Sequence, residues 1–426
     1  MKVQTGMILR TILAALVVVT PATMRAEVTR VEITSRQDVV GGKPFGTVGA
    51  YEKLTGKVYF AVVPENPHNR IVADIDKAPR NAQGKVEFSA DLFILKPKDT
   101  SHANGVLFFD VVNRGNKALL STFNHAAGSL DPATEAHFGN GLLMREGYTL
   151  VAVGWQFDVP KQKNRIGFDA PTATDNGQPI TGWVSPWFIP NKRSDSFEYT
   201  TGYNSPAYPP LDPNNPAYRL TEREGLASAP RLIPRDNWQF GRIENGKVAF
   251  DANWVTLKGG FKAGMTYEVT YESKNPPLAG LGFAAIRDLA SALKYNSDAV
   301  VRGRYAYTYG ASQTGRFQRH MIYDGFTTDE QGRLAIDQQF ALAFHDVGDL
   351  IAGVRMVSGI RSRSDLYRRD SGLAARDRYI AREHDSALYS RVLGPQTARC
   401  RNKSNRHQTH APLLNRFHTL LLMLIR

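Results

Sequence analysis

The rhythm of apolar and polar positions changes several times along this chain, and each change predicts a different kind of element. Over residues 27–104 the pattern alternates. Val28, Val31 and Ile33 are separated by polar residues, and Val58–Val63 and Leu92–Leu95 are rich in β-formers. Turn clusters at Gly41-Gly42 and Glu65-Asn66-Pro67 punctuate them, so this stretch predicts an antiparallel β region. Over 105–155 the alternation gives way to continuous apolar runs. Val106–Val112 is broken only by Asp110, and Tyr148–Trp155 is the second such run, with a helical pattern between them. Such runs suit strands covered on both faces of a parallel sheet.

Residues 156–276 have little periodicity and are rich in Pro, Asn and aromatics, with one strand at Tyr267–Tyr271. A stretch of this kind predicts a lid or pocket-building insert, or equally a decorative surface subdomain. Over 277–340 helical and strand spacing alternate again. Leu281, Ala284, Ala285, Leu289 and Leu293 share one helix face within Leu278–Leu293. Tyr305–Tyr309 predicts a strand, Gly310–Gly315 a tight turn, and Arg316–Tyr323 a further helix. No internal repeat is visible.

Composition changes this picture at the two ends. The chain has 426 residues, 42% hydrophobic and 22% charged, which excludes a collagen, a coiled coil or a wholly disordered chain. Its single cysteine, Cys400, excludes an intramolecular disulfide and any cysteine-based zinc or iron–sulfur site. The formal charge is +13, but residues 341–426 hold 15 basic and 7 acidic residues and so carry +8 of it. Every basic residue there except Lys403 is arginine. An Arg-rich tail without strand periodicity predicts a non-native or poorly ordered ending, such as a frame change or a truncated gene model would leave. An alternative role in holding phosphates predicts a steep salt dependence; nucleic acid is not the expected partner.

At the other end, basic residues precede the apolar run Ile12–Val19, and small residues follow it. Residues 1–26 therefore predict a secretory signal peptide, cleaved after Ala22 or Ala26, and a periplasmic or secreted protein. The run is shorter than the roughly 20 residues a membrane-spanning helix needs. No stable membrane span is expected after cleavage. An uncleaved anchor or a buried apolar element is the competing reading.

The predicted chemistry lies at Gly310-Ala311-Ser312-Gln313-Thr314-Gly315, between a strand and a helix. A serine at a sharp strand-to-helix turn stands clear of the sheet edge, at the positive end of the helix that follows. Ser312 is the candidate nucleophile, and the amide of Gln313 a candidate oxyanion donor. Thr314 stands where the usual pattern has a second glycine, so the motif is relaxed. A capping serine in an ordinary Gly-rich turn is the alternative. The Asn113-Arg114-Gly115-Asn116 loop could supply a second oxyanion amide, at Gly115 or a neighbour, or be a plain turn.

Together, Val111–Lys117, Gly147-Tyr148, Gly154-Trp155-Gln156, Asn275-Pro276-Pro277, Gly280-Leu281-Gly282 and Gly310–Arg316 resemble a bacterial family of exported alpha/beta hydrolase domain proteins. Ala78-Pro79-Arg80-Asn81 and Phe88-Ser89-Ala90-Asp91 fit it too, and the resemblance covers about residues 30–336. It implies an α/β-hydrolase core and Ser312 as nucleophile, but no single substrate. The fold class expected is therefore α/β. It would have an α/β-hydrolase-like, mostly parallel sheet, an N-terminal antiparallel region, a long Pro/aromatic insert, and a sheet possibly incomplete at the C-terminus.

After about Asp337 the resemblance ends, where a hydrolase acid and histidine should follow the serine. His320, His345, His384, His407, His410 and His418 lie downstream. Asp349 with His384 is the best candidate pair, a surface location being the alternative for both. His407 and His410 offer only two ligands, so no metal is expected, and no cofactor motif is present. Trp183, Trp187, Phe188, Tyr199, Tyr203 and Tyr208 could line an acyl or aryl pocket or simply pack a subdomain.

The function expected is an exported serine hydrolase acting on a small carboxylic ester or acyl substrate. A non-catalytic exported binding protein, or an inactive truncated or frameshifted hydrolase, is the alternative. Oligomeric state is not legible.

Overall fold

The computed structural model describes residues 27–160, 162–199, 208–225, 227–343 and 353–358. Residues 1–26, where a signal peptide is expected, and most of the Arg-rich tail, with Asp349, His384 and Cys400, lie outside the described residues.

The longest strands come from the alternating N-terminal region. They are β1 (Val28–Asp38), β2 (Tyr51–Val62) and β3 (Val86–Pro97), paired as an antiparallel meander. The two apolar runs form β4 (Val106–Asp110) and β5 (Thr149–Val153). A two-residue strand, β6 (Phe168–Asp169), then β7 (Tyr305–Ala311), β8 (Gln338–Ala343) and β9 (Gly353–Ser358), complete one nine-stranded sheet. Its order is β1-β2-β3-β5-β4-β7-β8-β9, with β6 alongside β3.

This corrects the expected fold class. The pairs β4–β5, β4–β7 and β7–β8 are parallel. The pairs β1–β2, β2–β3, β3–β5, β3–β6 and β8–β9 are antiparallel. The sheet is therefore mixed and not mostly parallel. Of the described residues 37% are strand and 18% helix, so this is a mostly β protein, not a helix-rich α/β-hydrolase fold. The Pro/aromatic stretch accounts for much of the difference. It builds small antiparallel sheets around Trp254–Phe261 and Thr266–Lys274. Between β4 and β5 the helical pattern yields only short pieces: α1 (Leu119–Phe123), α2 (Glu135–Phe138) and α3 (Leu142–Arg145).

The large sheet is covered on both faces, which is why β4 and β5 read as unbroken apolar runs. Leu107, Phe109, Val151 and Val153 point to one face, against α4 (Leu281–Tyr295) and α5 (Gln313–Tyr323). Phe108, Leu150, Ala152 and Tyr309 point to the other, against α1–α3. The insert aromatics form a third core of their own, around Tyr199, Tyr267 and Tyr271.

One polar knot lies beneath α4. Arg287 is fully buried, and its Nε and Nη2 donate to the two carboxylate oxygens of Asp288 at 2.6 and 3.0 Å. Its remaining donors reach the His68 carbonyl at 3.0 Å and Asn69 Oδ1 at 2.8 Å, pinning the loop between β2 and β3 onto the helix. Beside it, Asp329 Oδ2 accepts from Ser291 at 2.6 Å and from Arg333 at 2.7 Å.

Candidate functional site

Strand β7 ends at Ala311 and α5 begins at Gln313, so the chain turns at a single residue, Ser312. That residue has φ 59° and ψ −116°, outside the helical, extended and left-handed helical regions. A non-glycine residue held there costs about 1–3 kcal/mol, which the surrounding structure must overcome. The local contacts show how. A Cβ on Gly310 would lie 2.6 Å from Gln318 Nε2 and 2.8 Å from the Thr314 backbone, so only glycine lets the helix close onto the strand. Thr314 is buried, and its hydroxyl accepts from the Ala311 amide at 2.9 Å and donates to the Ala311 carbonyl at 3.1 Å. The relaxed position is thus occupied by a side chain that ties the turn shut. Gln318 holds the helix to two strands, accepting from Thr308 at 2.6 Å and donating to the Phe340 carbonyl at 3.1 Å.

Ser312 itself is exposed. Its carbonyl accepts the first helical bond from Arg316 at 3.1 Å, but its hydroxyl makes no capping bond. The capping-serine alternative therefore lacks the bond that defines it. The Gln313 amide is among the first-turn N–H groups that a helix leaves without an intrahelical acceptor.

The second predicted oxyanion element leaves the same sheet edge. Asp110 pairs with Tyr309, and the Val111 amide donates to the Tyr309 carbonyl at 2.9 Å. The next residues form a tight turn, Asn116 N donating to the Asn113 carbonyl at 3.0 Å, with Arg114 at φ 49° and Gly115 at φ 77°. A Cβ on Gly115 would lie 2.8 Å from Val159 Cγ1 and 3.0 Å from the Ile166 amide nitrogen. Close packing on the 159–166 segment thus accounts for this glycine, and nothing among the described contacts joins it to Ser312. Trp155 ties the loop to the helix, since its Nε1 donates to the Val112 carbonyl at 2.6 Å and its ring lies 4.3 Å from that of Phe317.

The base is another matter. His345, His384, His407, His410 and His418, and Asp349, lie outside the described residues. His320 is exposed and its ring stacks over Phe283 at 6.5 Å. Eight residues along a helix place it roughly 12 Å from Ser312. Of the upstream histidines, His68 lies near Thr328 Oγ1 at 3.4 Å and burial lowers its pKa, while His137 caps α2 with Thr134. No histidine among the described residues is bonded to Ser312. Phe188 and Tyr199 are buried in the insert's own core, Trp183 and Trp187 are exposed, and Tyr208 lies 5.9 Å from Phe157. Tyr203 lies outside the described residues.

Sequence reasoning treated Asp110 only as an interruption, yet it is a buried acid in the core. Its Oδ2 accepts from the Ala118 and Leu119 amides at 2.6 and 2.9 Å, while its buried Oδ1 has no partner among the described residues. Burial pushes its carboxyl up to about 6 against the pull of those two amides and Lys117. Burial also brings the Lys117 ammonium down to about 8. Both line a recess of about 420 Å³, open to solvent, with Phe93, Leu95, His137 and Leu150 on its walls. The available signal was a lone charge inside an apolar run.

Because the folded carboxyl titrates above its unfolded value, its contribution to stability is full below about pH 4 and is lost as pH rises toward about 6. Asp110→Asn should therefore compare better with the parent at pH 7 than at pH 4, by about 2–3 kcal/mol. Urea midpoints at the two pH values measure this, and an offset independent of pH would contradict it.

Among the described residues no helix is long and apolar enough to cross a membrane. No group of three or more His, Cys, Asp or Glu among them could hold a metal ion. The chain matches no family model and no curated protein sequence.

Proposed function

We propose that this chain is an exported hydrolase of small carboxylic ester or acyl substrates, with Ser312 as its nucleophile. One observation carries the reading. The Ser312 hydroxyl is exposed and unused by its own helix, on a strained backbone at the head of an 11-residue helix. In this scheme Ser312 Oγ attacks the substrate carbonyl carbon, and the Gln313 amide stabilises the resulting oxyanion. The ester oxygen leaves as an alcohol, taking up a proton, and water then releases the acid from the serine. His384 is the sequence candidate for the proton carrier, with Asp349 as its orienting acid. A serine without them would keep only the residual catalysis of binding and oxyanion donors. Export rests on the pattern of residues 1–26.

A fluorophosphonate probe tests the nucleophile. The folded chain should form one covalent adduct, mapped to the peptide holding Ser312, and Ser312→Ala should reduce labelling to background. Labelling that persists in that variant, or none on the folded parent, refutes the proposal. The second outcome favours a non-catalytic binding protein, the reading supported by the lack of any described histidine bonded to Ser312.

A further inference from the structure

Strand β1 begins beside a cluster of buried charged residues that includes Glu27, Asp288 and Glu330. The Glu27 carbonyl accepts from the Ala61 amide at 3.0 Å, the last ladder bond of that end. Along β2, every second amide faces β1. The next one, Val63 N, donates to Glu330 Oε1 at 3.2 Å. The Glu330 carboxylate thus fills the ladder place a longer β1 would have taken, roughly 7 Å beyond the Glu27 carbonyl at the usual rise per residue. It stands at the N-terminal end of β1, the end from which Glu27 leads into Val28.

Glu330 is 9% exposed, bonded also to Asn69 Nδ2, and its carboxyl lies against that of Glu27, with no cation bonded to it among the described residues. Among the described residues its neighbours supply no free cation. Lys85 is taken by the Glu27 carboxylate at 2.7 Å, Arg287 by Asp288, and Arg333 by Asp329. His68 belongs to the same loop as Asn69, and burial lowers its pKa. Burial, with the Glu27 and Asp288 carboxylates nearby, pushes Glu330 up to about 8. Among the described residues no cation is left for Glu330, and the nearest one peptide hydrolysis after Ala26 would create is the ammonium of Glu27.

We propose that cleavage of the Ala26–Glu27 bond creates a structural ion pair between the new α-ammonium of Glu27 and the Glu330 carboxylate. An export peptidase adds water across the bond. The hydroxyl stays with Ala26 as a carboxylic acid, and the freed amine at Glu27 takes up a proton. Removal of the leader is then also a folding signal, because it supplies the missing cation. The proposal rests on the export reading, not on the role of Ser312.

Chains with a defined start test the pair without depending on export. One form begins at Glu27, a second carries the same residue Nα-acetylated, and both are also made with Glu330→Gln. The free α-amine should titrate about one pH unit or more above its ordinary value near 8. The free form should also unfold at higher urea than the acetylated form at pH 7. Pairing raises the amine's pKa, so that advantage fades as pH passes the raised value, and it fades again in acid, where Glu330 takes up a proton. Glu330→Gln should abolish both effects; being neutral and similar in shape, it should still fold. An α-amine titrating near 8, or equal midpoints for the two forms, overturns the proposal. So does an exported chain whose first residue is Thr23, the product of cleavage after Ala22.

Discussion

Arg287→Met should destabilise the protein by about 3–5 kcal/mol, a large share of the stability of an ordinary domain. The cost comes chiefly from what is left behind. Asp288 is 1% exposed and takes both of its short bonds from this one guanidinium. Without it, a carboxylate already raised by burial keeps Asp329 and Glu27 as near charges of its own sign. The loop between β2 and β3 also loses the donors that reach His68 and Asn69. The double variant Arg287→Met with Asp288→Leu should recover much of the loss, because removing both charges spares the core the orphaned one. Urea unfolding of the three chains decides the matter. A double variant no better than the single one would show that the cost lies in packing and not in the uncovered charge.

The second large effect is expected at Gly310→Ala. One added methyl carbon would overlap Gln318 Nε2 and the Thr314 backbone, both at less than 3 Å. The helix can relieve this only by moving away from β7, which carries Ser312 out of its place. A displacement of about 1 Å at a reacting atom can lower a rate about 10²-fold. Fluorophosphonate labelling should fall by that order, while overpacking costs only about 1–3 kcal/mol in stability. Labelling at the parental rate in a folded Gly310→Ala chain would separate the glycine from the reactivity of the serine. Ala311→Gly, half-exposed and next in line, serves as the control for a change of the same size.

Much of the core around the serine was legible because the relevant residues obey local rules. Val106–Val112 reads as a doubly covered strand; the strand occupies Val106–Asp110 of it, with parallel neighbours on each side. The helix expected from Leu278 begins at Leu281, because the chain first turns at Pro277–Gly280. The helix expected from Arg316 begins at Gln313, since Thr314 bonds the preceding strand instead of breaking the helix.

What escaped was set by long-range pairing. Nothing local to Leu92–Leu95 shows that β3 will take β5 as an antiparallel partner, the contact that joins the N-terminal meander to the parallel strands. In the insert, strands such as Trp187–Phe188 and Trp238–Phe240 are too short to display any period. The roles of Asp110 and Glu330 were hidden for a related reason, because their surroundings are assembled from distant parts of the chain. The strand-to-helix turn at Ser312 was legible because a strand, a glycine and a helix start all adjoin it in sequence.

Gln318 gives the turn a mechanical character. With one end on Thr308 and the other on Phe340, it works as a cross-brace, and α5 cannot roll without shearing two parallel strands past each other. The hydroxyl at the head of that helix is thereby aimed in advance, like a fixed tool on a bench. If Ser312 is the nucleophile proposed, the substrate must adapt to the helix rather than the helix to the substrate.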